Sequence, residues 1–220
     1  MYKRQLITLG KVKVNGKTVT TLGTTIDPDN DSVQVNGKYL SPPLSFTYYA
    51  LYKPKGYITS KDDSHAEKLV TSLLPPKPSV VPVGRLDKDS EGLLLLTNDG
   101  ELTQKMTHPS FAHEKEYIVK IKADAKLTEN DVEEIRKRMC KGYMMDGSLA
   151  KAKEVSTAKF EGGKLTLKMV LTQGKKRQIR RMCDMAGLEV MQLIRIRMGK
   201  LTLGNLKPGE FRRVKREEII

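Results

Sequence analysis

Residues 84–92 read Gly84-Arg85-Leu86-Asp87-Lys88-Asp89-Ser90-Glu91-Gly92, three carboxylates and two cations between glycines, directly ahead of Leu93-Leu94-Leu95-Leu96. Loops that feed an apolar strand often carry catalytic groups, because the scaffold beneath them is rigid. A carboxylate such as Asp87 suits chemistry at a sugar carbon, and a pair formed with Asp89 or Glu91 would suit glycoside hydrolysis. Two other readings use the same residues. Asp87-x-Asp89-x-Glu91-Gly92 begins like a calcium loop, but Asn98 stands where the bidentate Glu belongs and residues 93–96 are apolar where ligands should continue. A charged, solvated turn is the third.

Two further segments carry chemistry. Tyr117, in the alternating run Glu116 to Ile121, is either a core aromatic or a platform on which a base can stack. Gly174-Lys175-Lys176-Arg177-Gln178-Ile179-Arg180-Arg181-Met182 lies in a stretch, 171–200, with eight Lys/Arg against two acids. Cations at a helix start favour phosphate, although the spacing is not that of a P-loop and a solvated basic helix would look the same. Arg180, between Ile179 and Met182, is expected to be partly buried and therefore to need a carboxylate.

These residues need elements to hold them. The alternation predicts strands at Lys11–Asn15, Thr18–Leu22, 33–35, 48–52, 80–83, 93–97, 116–121, 164–172, 190–196 and 200–203. It predicts helices at 66–74, 101–107, 128–139, with Thr128 and Asp131 as a capping box, and 177–185. Asn15-Gly16, Asn36-Gly37 and Asn98-Asp99-Gly100 read as hairpin-type turns, Asp27–Asp31 as a turn cluster and Pro42-Pro43 as a stiff linker. Strands outnumber helices, so the expected class is α+β with a mixed or antiparallel central sheet flanked by helices. The linker divides a strand-rich segment, 1–42, from a larger domain, 43–220.

Composition narrows the function. The 220 residues carry 40 Lys/Arg against 26 Asp/Glu, a formal charge of +14, with no Trp. Such a balance favours a polyanionic partner. No apolar run reaches membrane length and no signal-peptide core follows Met1, so no membrane association is expected. Cys140 and Cys183 form no disulfide framework, and His65, His108 and His113 lack metal-site spacing. A reducing cytoplasm is the expected compartment, with no bound metal.

Taken in order, the motifs resemble a known family. Gly84-Arg85-Leu86-Asp87, then Gly92 to Gly100, resemble the signature of the RsuA-type ribosomal RNA pseudouridine synthases. Lys115-x-Tyr117 resembles their second motif, and Gly174-x-x-Arg177-Gln178-Ile179-Arg180-Arg181-Met182 their third. Lys53-Pro54-x-Gly56-Tyr57 and the closing Met198-Gly199-x-Leu201-x-Leu203 to Arg212 also match, so the resemblance spans 43–220. Residues 11–37 are similar to the back half of an S4 RNA-binding domain, without the helix and turn that usually precede it.

The resemblance implies isomerisation of uridine to pseudouridine in ribosomal RNA: the N1–C1′ bond breaks, the base turns and rejoins through C5, with no cofactor. It implies Asp87 as the essential carboxylate, acting at C1′, at C6 or by taking a ribose proton, with Arg180 as its counterion. Tyr117 would stack on the flipped base. Arg85, Lys115 and Leu201 would hold the nucleotide, and Lys175, Lys176, Arg177 and Arg181 would contact phosphate, with Lys11 and Lys13 in the S4-like segment. The partner is a structured loop or bulge of ribosomal RNA, the motifs resembling the large-subunit (23S) members more than the small-subunit (16S) one, and the enzyme a monomer. A non-catalytic ribosomal RNA-binding or assembly protein with the same basic face is the competing class.

Overall fold

The computed structural model describes residues 2–27, 30–41, 45–60, 68–122, 127–161 and 164–220. The chain forms two compact units, 1–45 and 46–220. The Pro42-Pro43 linker, His65 and part of the 27–31 turn cluster lie outside the described residues.

The first unit opens with helix α1 (Tyr2–Thr8), so the expectation that no helix precedes the strands is corrected. Four three-residue strands follow, β1 (Val12–Val14), β2 (Lys17–Val19), β3 (Val33–Val35) and β4 (Lys38–Leu40), in the antiparallel order β2-β1-β3-β4. The hairpins turn at Asn15-Gly16 and Asn36-Gly37, all four residues at positive φ, as a two-residue turn between twisted strands requires.

The second unit contains β5 (Tyr48–Lys53), β6 (Val81–Pro82), β7 (Glu91–Thr97), α2 (Gly100–Thr107), β8 (Lys115–Lys122), α3 (Glu129–Lys141), β9 (Tyr143–Met145), β10 (Ser148–Ala150), β11 (Glu154–Glu161), β12 (Lys164–Leu171), α4 (Gln178–Met185), β13 (Glu189–Met198), β14 (Leu201–Thr202) and β15 (Phe211–Arg213). The central sheet runs β11-β12-β8-β13-β7-β5-β15, with β14 on β13 and β6 on β7. Its pairs are antiparallel except β13 against β7, so the sheet is mixed, as expected.

The four-leucine run is apolar throughout because both faces of β7 are covered. Leu94 and Leu96 join Tyr49 and Leu51 in a first core; Leu93 and Leu95 join Tyr48, Ala50 and Tyr52 in a second. Helices α3 (Val132, Ile135, Met139) and α4 (Ile179, Met182, Cys183) bury their apolar faces in the first core, and α2 (Leu102, Met106) in the second. By contrast β8 alternates, with Tyr117, Val119 and Ile121 inward and Lys120 and Lys122 in solvent.

Two expectations need correction. Asn98-Asp99-Gly100 does not turn a hairpin; Asp99 caps α2, accepting from the Leu102 N–H at 2.9 Å and from the Tyr48 hydroxyl at 2.8 Å. That burial and the Asp99 bond push the Tyr48 phenol up to about 12. In place of a helix at 66–74, the described part is a single 3₁₀ turn over Val70–Leu73, stopped by Pro75-Pro76. The capping box at Thr128 and Asp131 forms as the spacing predicts.

Candidate active site

Asp87 lies in the turn between β6 and β7, half-buried, and among the described residues its carboxylate has no hydrogen bond or ion pair. The backbone around it is held at nearly every carbonyl. Arg85 O accepts from Arg195 Nη1 (3.4 Å), and Leu86 O from the Thr59 hydroxyl (2.8 Å). Lys88 O accepts from the Gly56 N–H (2.7 Å), Asp89 O from Arg180 Nη2 (2.9 Å), Ser90 O from Lys53 Nζ (2.7 Å) and Leu93 O from Arg195 Nε (2.8 Å). Donors from β5, the loop after it, α4 and β13 thus grip the main chain while the Asp87 side chain stands clear.

Asp89, not Asp87, takes the arginines. Arg177 Nη1 is 3.0 Å from both Asp89 oxygens, and Arg180 Nε is 3.2 Å from Oδ2, in ion-pair range though poorly aligned for a hydrogen bond. The Asp87–Arg180 pair is therefore replaced by Asp89–Arg180, because Arg180, also tied to Val190 O, reaches the second residue of the turn. Burial pushes the Asp89 carboxyl up, but the Arg177 hydrogen bond and the charges of Arg180 and Arg177 outweigh it and hold it below its usual value. Arg177 adopts a left-handed conformation (φ +51°) just before α4, a backbone region that residues other than glycine rarely occupy.

Two buried cations complete the loop's support. Lys53 is fully buried; burial lowers its ammonium to about 8 against the opposing pull of Asp89, Glu91 and Asp87. Its Nζ donates to Ser90 O and, at 3.1 Å, to Pro54 O. Arg195, 2% exposed, pairs across the sheet with Tyr117 on β8 and Gly92 on β7. Neither was singled out from sequence as a site residue, although a signal existed: both continue the inward parity of Tyr49-Leu51 and Leu193, so each is a cation at a core position.

The remaining candidates divide. Tyr117 is buried on the first-core face, beside Arg195. Lys115, half-buried, donates to His113 O at 3.2 Å, and burial followed by the Arg195 charge lowers its ammonium. The Arg85 side chain is exposed at the loop's start. Leu201 is 1% exposed in the second core, the opposite face from Tyr117, so it cannot pack against a base stacked there; the β13–β14 turn folds it inward with Leu93 and Leu95. Three of the four cations assigned to phosphate are already engaged. Arg177 binds Asp89, Lys175 Nζ binds Ser148 Oγ (2.6 Å) and Ser148 O (2.8 Å), and Arg181 makes two bonds to Asp146 (2.7 and 3.0 Å). Only Lys176 of that set is exposed and unpartnered among the described residues. In the first unit Lys11 and Lys13 are exposed.

Among the described residues no three His, Cys, Asp or Glu side chains gather to hold a metal ion, and no helix is long and apolar enough to cross a membrane. The arrangement offers, in the Asp87 turn, a carboxylate unpaired among the described residues, on a turn tied along its main chain and flanked by cations.

Residues 47–185 match the family model described as RNA pseudouridylate synthase. The chain is 36% identical over 219 residues to ribosomal large subunit pseudouridine synthase B of Bacillus subtilis, covering 98% of this chain and 86% of that one. It is 36% identical over 218 residues to an uncharacterized RNA pseudouridine synthase of Aquifex aeolicus, covering 98% and 84%. A crystal structure of a pseudouridylate synthase superposes with a TM-score of 0.69 at 25% identity, covering 99% of this chain and 90% of that one.

Proposed function

The chain belongs to the RNA pseudouridylate synthase family and is an RNA pseudouridine synthase, and from that premise we propose that it isomerises a specific uridine of large-subunit (23S) ribosomal RNA, with Asp87 as the reacting carboxylate. The Bacillus subtilis relative, similar along nearly the whole chain, supports the choice of RNA. The observation that carries the choice of residue is the contrast within one turn: Asp89 is occupied by Arg177 and Arg180, while Asp87 has no hydrogen-bond or ion-pair partner among the described residues.

In the reaction the N1–C1′ bond breaks, C5 bonds to C1′, the C5 proton leaves and N1 gains one. Attack at C1′, attack at C6 and removal of a ribose proton all need an unpaired carboxylate at a fixed point, and the tied loop supplies it. The uridine must leave its stack to reach that point. Tyr117 forms the floor on which the uracil rests, and Arg85 and Lys115 meet the flanking phosphates. Leu201 is not part of this contact. Residues 1–42 act as an S4-like RNA-binding segment through Lys11 and Lys13. The enzyme works in the cytoplasm, where its substrate is made.

The reading is tested by chemical mapping of pseudouridine across both ribosomal RNAs, with and without the gene. The expected result is loss of signal at one or a few large-subunit uridines. Loss confined to small-subunit RNA would overturn the choice of substrate.

A further inference from the structure

Arg195 is a core residue that carries a charge. Its parity on β13 is that of Leu193, facing the first core, and it is 2% exposed. The strand order β8-β13-β7 sets it between Tyr117, its antiparallel partner, and Gly92, its parallel partner. The approach to β7 is close: a Cβ at Gly92 would lie 2.3 Å from the Arg195 carbonyl oxygen and 2.7 Å from its nitrogen, and Gly92 has φ +102°. A side chain at 92 would separate the strands, so glycine is required there.

From this position the guanidinium forks. Nε donates to Leu93 O at 2.8 Å, and Nη1 lies 3.4 Å from Arg85 O. Those two carbonyls are the two ends of the segment that carries Asp87. No carboxylate pairs with Arg195 among the described residues, and Nη2 is buried without an acceptor. A buried guanidinium lacking a counterion is unfavourable for folding. A methionine would fill the same volume without that cost, so the charge has another use. A fork with two diverging donors can close a loop at its base; the single ammonium of a lysine cannot span both ends.

We propose that Arg195 is a positioning residue for the isomerisation: its guanidinium staples residues 85 and 93 together and so fixes Asp87 relative to Tyr117, its neighbour across the sheet. The proposal rests on the reading of Asp87 as the reacting carboxylate. Arg195 acts through the loop and does not touch the RNA. Lys53 grips the middle of the same segment at Ser90 O, so the two cations hold different parts of one loop.

The test uses Arg195→Lys and Arg195→Met in the full chain, with a transcript of large-subunit RNA as substrate. Both variants are expected to lose roughly 100-fold in single-turnover rate, the scale of a small misplacement of a reacting group. Their RNA Kd stays within about threefold, because phosphate contacts are untouched. Equal losses for Lys and Met support a fork. Rates near wild type, or a loss confined to Kd, overturn the staple. Native-state amide exchange on the unmutated enzyme covers the case in which neither variant folds. The Leu86 and Ser90 amides, bonded to the Thr59 hydroxyl and to Asp87 O, should be as protected as those of β7. Rapid exchange there contradicts the staple. Asp87→Asn separates the two claims: if it stays active, the reading of Asp87 fails, and if it is dead while Arg195→Lys is fully active, only the staple fails.

Discussion

Two acidic turns lean on the basic segment 174–181, and they are held differently. The Asp89 turn receives Arg177 and Arg180, and its main chain is also tied by Thr59, Gly56, Lys53 and Arg195. The Asp146 turn, at the tip of the β9–β10 hairpin, receives Arg181, with Lys175 reaching Ser148 beside it. The Asp146 side chain is 71% exposed, against 37% for Asp89, while Arg180 is only 10% exposed. Similar ion pairs therefore do different work. The pair at Asp89 is partly desolvated and braces the turn that presents Asp87; the pair at Asp146 competes with water and contributes little.

The contrast can be broken first at its tightest point. Gly92→Ala should destabilise the enzyme most, by more than about 3 kcal/mol in denaturant unfolding, since the new Cβ meets the Arg195 backbone and the backbone is left-handed. A variant that unfolds like wild type would mean β7 and β13 are less closely packed than described. Next comes Arg180→Ala, which leaves the partly buried Asp89 with one arginine and frees Asp89 O. It should cost about 1–3 kcal/mol and at least tenfold in turnover, far more than Lys176→Ala. Equal, small losses for the two variants would remove the distinction between braced and solvated cations.

The buried Lys53 gives the comparison a pH dependence. Its pKa in the folded protein is about 8, lowered from 10.5 by burial. Between these values the unfolded chain binds more protons, so Lys53 opposes folding fully below pH 8 and progressively less above it. Turnover follows the opposite course, because a neutral amine holds the loop carbonyls more weakly. The rate should fall on an alkaline limb centred near pH 8, and a flat profile from pH 7 to 9 would contradict this. The smallest effects belong to the exposed turn. Arg181→Ala and Asp146→Asn should leave both melting and turnover indistinguishable from wild type, and Lys176→Ala should lower the slope of RNA affinity against salt by about one unit.

Much of this arrangement was legible in the sequence where the signal is local. The leucine run, the Asn-Gly turns, the Thr128 capping box and the alternation of β8 and β12 each rest on neighbours within a few residues. The Asp87 loop was legible for the same reason, as charge set against an apolar strand. Three-residue strands registered only where they alternate beside an Asn-Gly turn, as β1 (Val-Lys-Val) and β3 (Val-Gln-Val) do; β9 (Tyr-Met-Met), β10 (Ser-Leu-Ala) and β15 (Phe-Arg-Arg) do not alternate, and so left no signal. Asp99 could open a hairpin or cap a helix with the same side chain, and only the buried contact with Tyr48 decides. The pairing of the site was the least legible. Arg177 and Asp89 are 88 residues apart, and Arg195 and Leu93 are 102 apart. The parallel register of β13 on β7 brings the second pair together, and no local pattern encodes it. Charge density was similarly ambiguous, since a cation engaged with Asp146 and one facing solvent look alike in sequence.

The comparison within the turn itself is the most direct test. Pseudouridine formation on large-subunit ribosomal RNA should be measured for Asp87→Asn and Asp89→Asn side by side, with RNA Kd determined for each. Asp87→Asn should form no pseudouridine while binding RNA within about threefold of wild type, because affinity rests on phosphate contacts. Asp89→Asn should be slowed but active. Full activity in Asp87→Asn, or complete loss in Asp89→Asn alone, would contradict the assignment of the unpaired carboxylate as the reacting group.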